Sequence, residues 1–226
     1  MDFKSIRIAT YKLREKLRIT RDSIILDMEK AITDLGILYI EENINHDFSG
    51  FSKAIDSHRY AIGFNTKSPY NNGFKRFTLA HELGHVTLHQ EMLQKQELHR
   101  TTEHLTSEQE IEREADYFAI NLLAPVKPFS DESNSLSFCR ESISRLSDKY
   151  QISFLASAIR TVSLSKKNIF LEIEKQGKKN TMIKSPSLNK DKNLLDRNFC
   201  SEIIPMNKEK TFYLKLGTIS LKTSLK

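Results

Sequence analysis

Hydrophobic positions along the chain change period several times, and each change predicts an element. Ile6, Leu13 and Leu17 keep helical spacing, as do Ile24, Ile25, Met28, Ile32 and Leu35, so residues 5–36 read as two helices, the second stopped by Gly36. The first helix is dense in both charge signs and the break Arg18-Ile19-Thr20-Arg21-Asp22 has no glycine, which favours a scaffold over a DNA-binding helix-turn-helix. Extended candidates follow at 37–40, 51–55 and 59–64, the last alternating apolar and polar. They suggest a small antiparallel sheet, and an edge strand beside a cleft would let an extended peptide add by backbone hydrogen bonds. Residues 66–73, TKSPYNNG, read as a turn-rich loop.

Past that loop the pattern becomes apolar on most sides. In FTLAHELGHVTLHQ, Phe77, Ala80, Gly84 and Leu88 mark one face and Leu79, Leu83 and Val86 another, which predicts a buried helix. Residues 91–107 are polar and read as a loop or loose helix; a capping-box pattern at Ser107-Glu108-Gln109-Glu110 then starts a helix that Pro125 ends. Its buried stripe is Ile111, Ala115, Phe118, Ala119, Leu122 and Leu123. Residues 127–137 read as a Ser/Asp/Pro linker, and 140–150 and 153–162 as two helices. Beyond them, 169–173 and 212–216 read as strands and 185–196 as a loop.

The buried helix carries the candidate chemistry, His81-Glu82-Leu83-Gly84-His85. Residues four apart share a helix face, so His81 and His85 present two imidazoles to one side. Two neutral imidazoles suit Zn²⁺, and a catalytic zinc takes a third protein ligand and keeps an open position. Zinc lowers the pKa of a water toward neutrality, and Glu82 is placed to act as the base. A buried histidine pair without partners is costly, which strengthens the metal reading.

Glu112 and Glu114 compete for the third position. At about 100° per residue, Glu112 lies within roughly 50° of the centre of its helix's apolar stripe and Glu114 about 110° off on the other side. That selects Glu112 as ligand, leaves Glu114 as a surface acid, and lets Asp116 accept a hydrogen bond from a ligating histidine. His89 is a rival ligand. Along one helix, however, positions 81, 85 and 89 climb about 12 Å, too far for all three to reach one ion. His89 is therefore expected to be structural or to support a ligand. Tyr60, Tyr117, His89 and His104 remain candidates for stabilising a developing oxyanion.

Composition narrows the class. The chain has 226 residues, 38% hydrophobic and 28% charged, which fits a folded soluble protein rather than a disordered one. The charged N-terminal stretch has no apolar core of a signal peptide, and no run of uncharged apolar residues is long enough to span a membrane. Cys139 and Cys200, the only cysteines, form no close metal pair; with no export signal they are expected to be reduced thiols in a cytoplasm. Net charge is +6, concentrated in 166–226, where 14 Lys and Arg face 6 Asp and Glu. Such a tail could meet nucleic acid or an acidic protein surface, or be no more than a lysine-rich solvated surface.

RFTLAHELGHVTLH followed by EREADYFAINLLAP resembles the ImmA/IrrE family of zinc metallopeptidases. The resemblance, which reaches to about Val162, implies an α+β fold with a mostly helical zincin-type peptidase domain and a small antiparallel sheet at 1–128, then a helical helix-turn-helix-like segment at 129–165. The residue pattern beyond it adds a small β-containing C-terminal region at 166–226, the least family-like part, with no chemistry assigned. The resemblance also implies zinc on His81, His85 and Glu112, with Mn²⁺ able to replace it in vitro, Glu82 as base, and site-specific cleavage of a helix-turn-helix repressor that releases mobile-element, prophage or stress genes. Many members read E-x-E-A-N; here the last position is Asp116, closer to the E-x-x-x-D pattern of gluzincins. The alternatives are the toxin of a toxin–antitoxin pair and a non-catalytic regulator binding DNA or a partner. The expected second helix of the helix-turn-helix-like segment has Arg160 as its only cation, which disfavours DNA.

Overall fold

The structure, a computed structural model, describes residues 2–20, 23–25, 27–67, 72–101, 108–175, 180–189, 198–205 and 212–220. It divides into two compact units, Met1–Pro125 with Tyr150–Ile152, and Val126–Lys149 with Ser153–Lys226.

In the first unit, α1 (Phe3–Lys16) is capped by the Asp2 carboxylate, which accepts from the backbone of Lys4 and Ser5, and buries Ile6, Thr10 and Arg14 at four-residue spacing. It ends without glycine: Arg18 takes the left-handed position (φ 55°) while Arg18 N and Ile19 N bond back to Glu15 and Arg14. The next helix, α2 (Met28–Asp34), closes in the same motif at Gly36, with Gly36 N on Thr33 O and Ile37 N on Ile32 O. Then come β1 (Leu38–Glu42), β2 (Phe48–Ala54), β3 (Tyr60–Asn65), α3 (Asn72–Leu88), α4 (Gln90–Leu93), β4 (Leu98–Thr101) and α5 (Glu108–Leu123).

The sheet order is β1-β3-β2-β4. The expected antiparallel sheet is mixed: β3 pairs antiparallel with β2 but parallel with β1, because the chain leaves β1, passes the place β3 will take, and returns by a hairpin. Asn65, fully buried, holds that crossing. Its amide nitrogen donates to the carbonyls of Ile44, His46 and Phe48, and its oxygen accepts from Ile44 N and Lys67 N. The stretch before α5, expected as a loop or loose helix, holds the short helix α4 and also strand β4, and Ser107 lies outside the described residues.

The second unit contains α6 (Val126–Ser135), α7 (Arg140–Tyr150, whose last residue belongs to the first unit), α8 (Phe154–Leu164), β5 (Ile169–Lys175), β6 (Thr181–Lys184), α9 (Pro186–Asn189), β7 (Asn198–Pro205) and β8 (Phe212–Ser220). Its sheet, β6-β5-β8-β7, is antiparallel throughout. The expected linker is helix α6: Pro128 sits in the first turn, where no amide is needed, and Phe129 is fully buried. No boundary falls at 165/166, since Ile143, Ala158 and Val162 share one core with Ile169, Leu171, Ile204, Leu214 and Leu216. Among the described residues, no helix is long and apolar enough to cross a membrane.

Candidate metal centre

Helix α3 is buried almost without interruption from Thr78 to Val86, as its all-round apolar pattern predicts. It packs on β2, β3 and β4 on one side and on α5 on another. The α5 contact is close because Gly84 faces Ala115: a Cβ at 84 would lie 3.2 Å from Ala115 Cα.

That crossing brings His81, His85 and Glu112 together, with exposures of 1%, 0% and 7%. His81 Nε2 lies 3.0 Å from Glu112 Oε2, His85 Nε2 lies 3.2 Å from Glu112 Oε1, and the two Nε2 atoms are 3.0 Å apart. Donors held tetrahedrally at about 2.0–2.2 Å from one zinc are roughly 3.3–3.6 Å from each other. One donor atom from each of the three residues lies within 4.8 Å of the other two, and two nitrogens with a carboxylate oxygen are the donors zinc favours. The residues present fit a divalent ion. Burial opposes ionisation of Glu112, yet the two imidazoles outweigh it and hold the carboxyl well below the usual carboxylate range.

Both Nδ1 atoms point away from the cluster. His81 Nδ1 lies 2.9 Å from the partly exposed Asp116 carboxylate, the partner the sequence suggests. His85 Nδ1 lies 2.9 Å from His89 Nδ1, and His89 Nε2 lies 3.0 Å from Glu114 Oε2. The expectation that Glu114 is a surface acid is therefore wrong: it is 6% exposed. The helical wheel judged it against its own helix's apolar stripe, and the polar partner beyond α3 was invisible to that test.

Glu82 is fully buried on α3 beside His81. Strand β2 comes close at Gly50, where a Cβ would lie 2.5 Å from Thr78 Cγ2 and 3.0 Å from Glu82 Oε1. Sequence reasoning missed this contact, although an interior strand glycine is itself a sign of close backbone approach. Of the oxyanion candidates, Tyr60 Oη is 3.4 Å from Gln94 Nε2, and the Tyr117 ring lies tilted against Phe3 with centroids 4.5 Å apart. His104 lies outside the described residues.

An H-E-x-x-H helix crossed by a helix bearing an inward carboxylate, over a small sheet, is the arrangement of a zincin-like domain. The chain belongs to the family of the IrrE N-terminal-like domain, peptidase family M78, whose model matches residues 34–161. This membership suggests a metallopeptidase-type or regulatory function. Among solved structures, a Mycobacterium tuberculosis transcriptional regulator is similar in fold, with a TM-score of 0.58 and 13% identity over 95% of this chain and 88% of the other. No curated protein matches the chain significantly.

Proposed function

We propose that the chain is a metal-dependent endopeptidase that cuts a helix-turn-helix transcriptional repressor in the cytoplasm, with zinc as its ion. The observation that carries this reading is the buried convergence of His81, His85 and Glu112 with Glu82 adjacent on the same helix. A purely structural ion needs no further buried carboxylate beside its ligands; hydrolysis does.

A divalent ion held by these three residues supplies Lewis acidity toward the scissile carbonyl and toward a water. The protein's own groups do the rest. Glu82 takes a proton from the water as it attacks the carbonyl carbon and hands it to the leaving amide nitrogen. Asp116 accepts from His81 Nδ1, so that the Nε2 lone pair faces the centre. Among the described residues, strand β4 is at the sheet edge and packs beside α3, a position from which its outward backbone groups can hold an extended substrate. The repressor as substrate follows from the family resemblance. DNA binding by the α7–α8 pair has weaker support, since α8 carries a single cation, Arg160, and it is 4% exposed.

The test is to incubate the purified chain and Zn²⁺ with candidate helix-turn-helix repressors from the same genome. Two fragments are expected with the unaltered chain and none with Glu82→Gln, which should still bind zinc. Equal cleavage by that variant overturns the role of Glu82, and no cleavage by either overturns the substrate.

A further inference from the structure

We infer that His89 and Glu114 form a hydrogen-bonded relay that positions His85, the counterpart on the second imidazole of what Asp116 does for His81. The inference rests on the metal reading above and adds two residues to it.

The atoms assign the protons. His85 offers Nε2 to the cluster with Glu112 and His81, so its ring proton belongs on Nδ1. That proton points at His89 Nδ1, 2.9 Å away, which must accept it. A neutral His89 accepting at Nδ1 carries its own proton on Nε2, and Nε2 lies 3.0 Å from the Glu114 carboxylate, which accepts. Each neutral ring has one proton, and both bonds are satisfied by the same arrangement. The reverse assignment would turn the Nε2 proton of His85 into the cluster and leave no lone pair for an ion.

Burial gives the relay its force. His85, His89 and Glu114 are 0%, 8% and 6% exposed. In such surroundings a misplaced proton strands a polar atom away from water. His81 is held differently, by a carboxylate that is half exposed. The local chain explains the geometry: α3 ends at Leu88, and His89 N still bonds to His85 O at 2.8 Å, so the two rings stand one turn apart. His89 is thus kept out of the cluster and behind His85.

The full chain is titrated with Zn²⁺ in competition with a chromophoric chelator. His89→Leu is expected to bind about 10- to 100-fold more weakly than the unaltered chain. His89→Asn places an amide oxygen where Nδ1 was, still accepts from His85, and is expected to recover most of the loss. The metal-free melting temperature of each variant separates positioning from packing, because a packing defect lowers it in both. In the unaltered, zinc-loaded chain, two-bond proton–nitrogen correlations of labelled histidine should show His85 protonated at Nδ1 and His89 at Nε2. Tight binding by His89→Leu, or His89 protonated at Nδ1, overturns the relay while leaving the metal reading intact. An unaltered chain that binds no ion overturns both.

Discussion

Gly84 rests against Ala115 so closely that a methyl group at 84 would stand 3.2 Å from Ala115 Cα and 3.3 Å from its carbonyl oxygen. The first residue lies between the two histidines of α3, and the second lies between Glu112 and Asp116 on α5. Backbone spacing at this point therefore sets the distance between the imidazoles and the carboxylate.

Widening that spacing should harm the site directly. Gly84→Leu must push the helices apart, and overpacking of this kind costs about 1–3 kcal/mol. Gly84→Ala sets a tight methyl contact against the roughly 1 kcal/mol that alanine gains over glycine in a helix, so its stability should stay near that of the unaltered chain. Urea unfolding reads the first quantity. Chelator competition should show zinc affinity falling in Gly84→Leu, and unchanged affinity there would mean that the helix crossing does not govern the site.

A second close approach predicts a split between folding and chemistry. Alanine at Gly50 would strike Thr78 Cγ2 at 2.5 Å and crowd Glu82 Oε1 at 3.0 Å. Gly50→Ala should be destabilised, and adding Thr78→Ser, which removes the obstructing methyl, should restore stability. Peptide cleavage should recover only in part, since the contact with Glu82 remains. Full recovery in the double variant would show that β2 does not constrain Glu82.

Much of this site was legible in the sequence, for definite reasons. The interval between His81 and His85 matches a helical turn, and Glu112 lies at the edge of its helix's apolar stripe; both facts are periodic and local. Glu114 was misread because its burial depends on His89, 25 residues earlier in the chain, and no periodicity encodes that pairing. The parallel pairing of β1 with β3 was missed for a similar reason. It depends on Asn65 reaching back to Ile44, His46 and Phe48, and a lone asparagine at a strand end signals only a turn. Helix α6 hid behind Ser, Asp and Pro residues that favour turns, until burial of Phe129 outweighed them.

Asn65 can be tested through its donors. Its amide nitrogen serves three carbonyls at 2.9, 3.2 and 2.9 Å. Asn65→Asp keeps the shape but puts a carboxylate against those oxygens in a fully buried place. The cost should be about 3 kcal/mol or more, since several carbonyls lose a donor and a charge loses its water. Unfolding in denaturant measures it, and a loss well below that value would show that other groups hold the crossing.

The two glutamates of α5 should respond in opposite ways to loss of charge. Glu112 faces both imidazoles through separate oxygens, at 3.0 and 3.2 Å, and they hold it ionised despite burial. Glu112→Gln replaces an anionic ligand with a weakly donating amide and turns N–H groups toward any cation, so zinc affinity should fall by well over about 100-fold, past the range for residues behind the ligands. Glu114 reaches the cluster through His89, and an amide oxygen in its place can still accept the His89 Nε2 proton. Glu114→Gln should keep zinc affinity within about tenfold of the unaltered chain, at the mild end of such supporting effects. Both values come from the same chelator competition. If the larger loss belongs to Glu114→Gln, Glu114 is the ligand and the assignment of Glu112 is overturned.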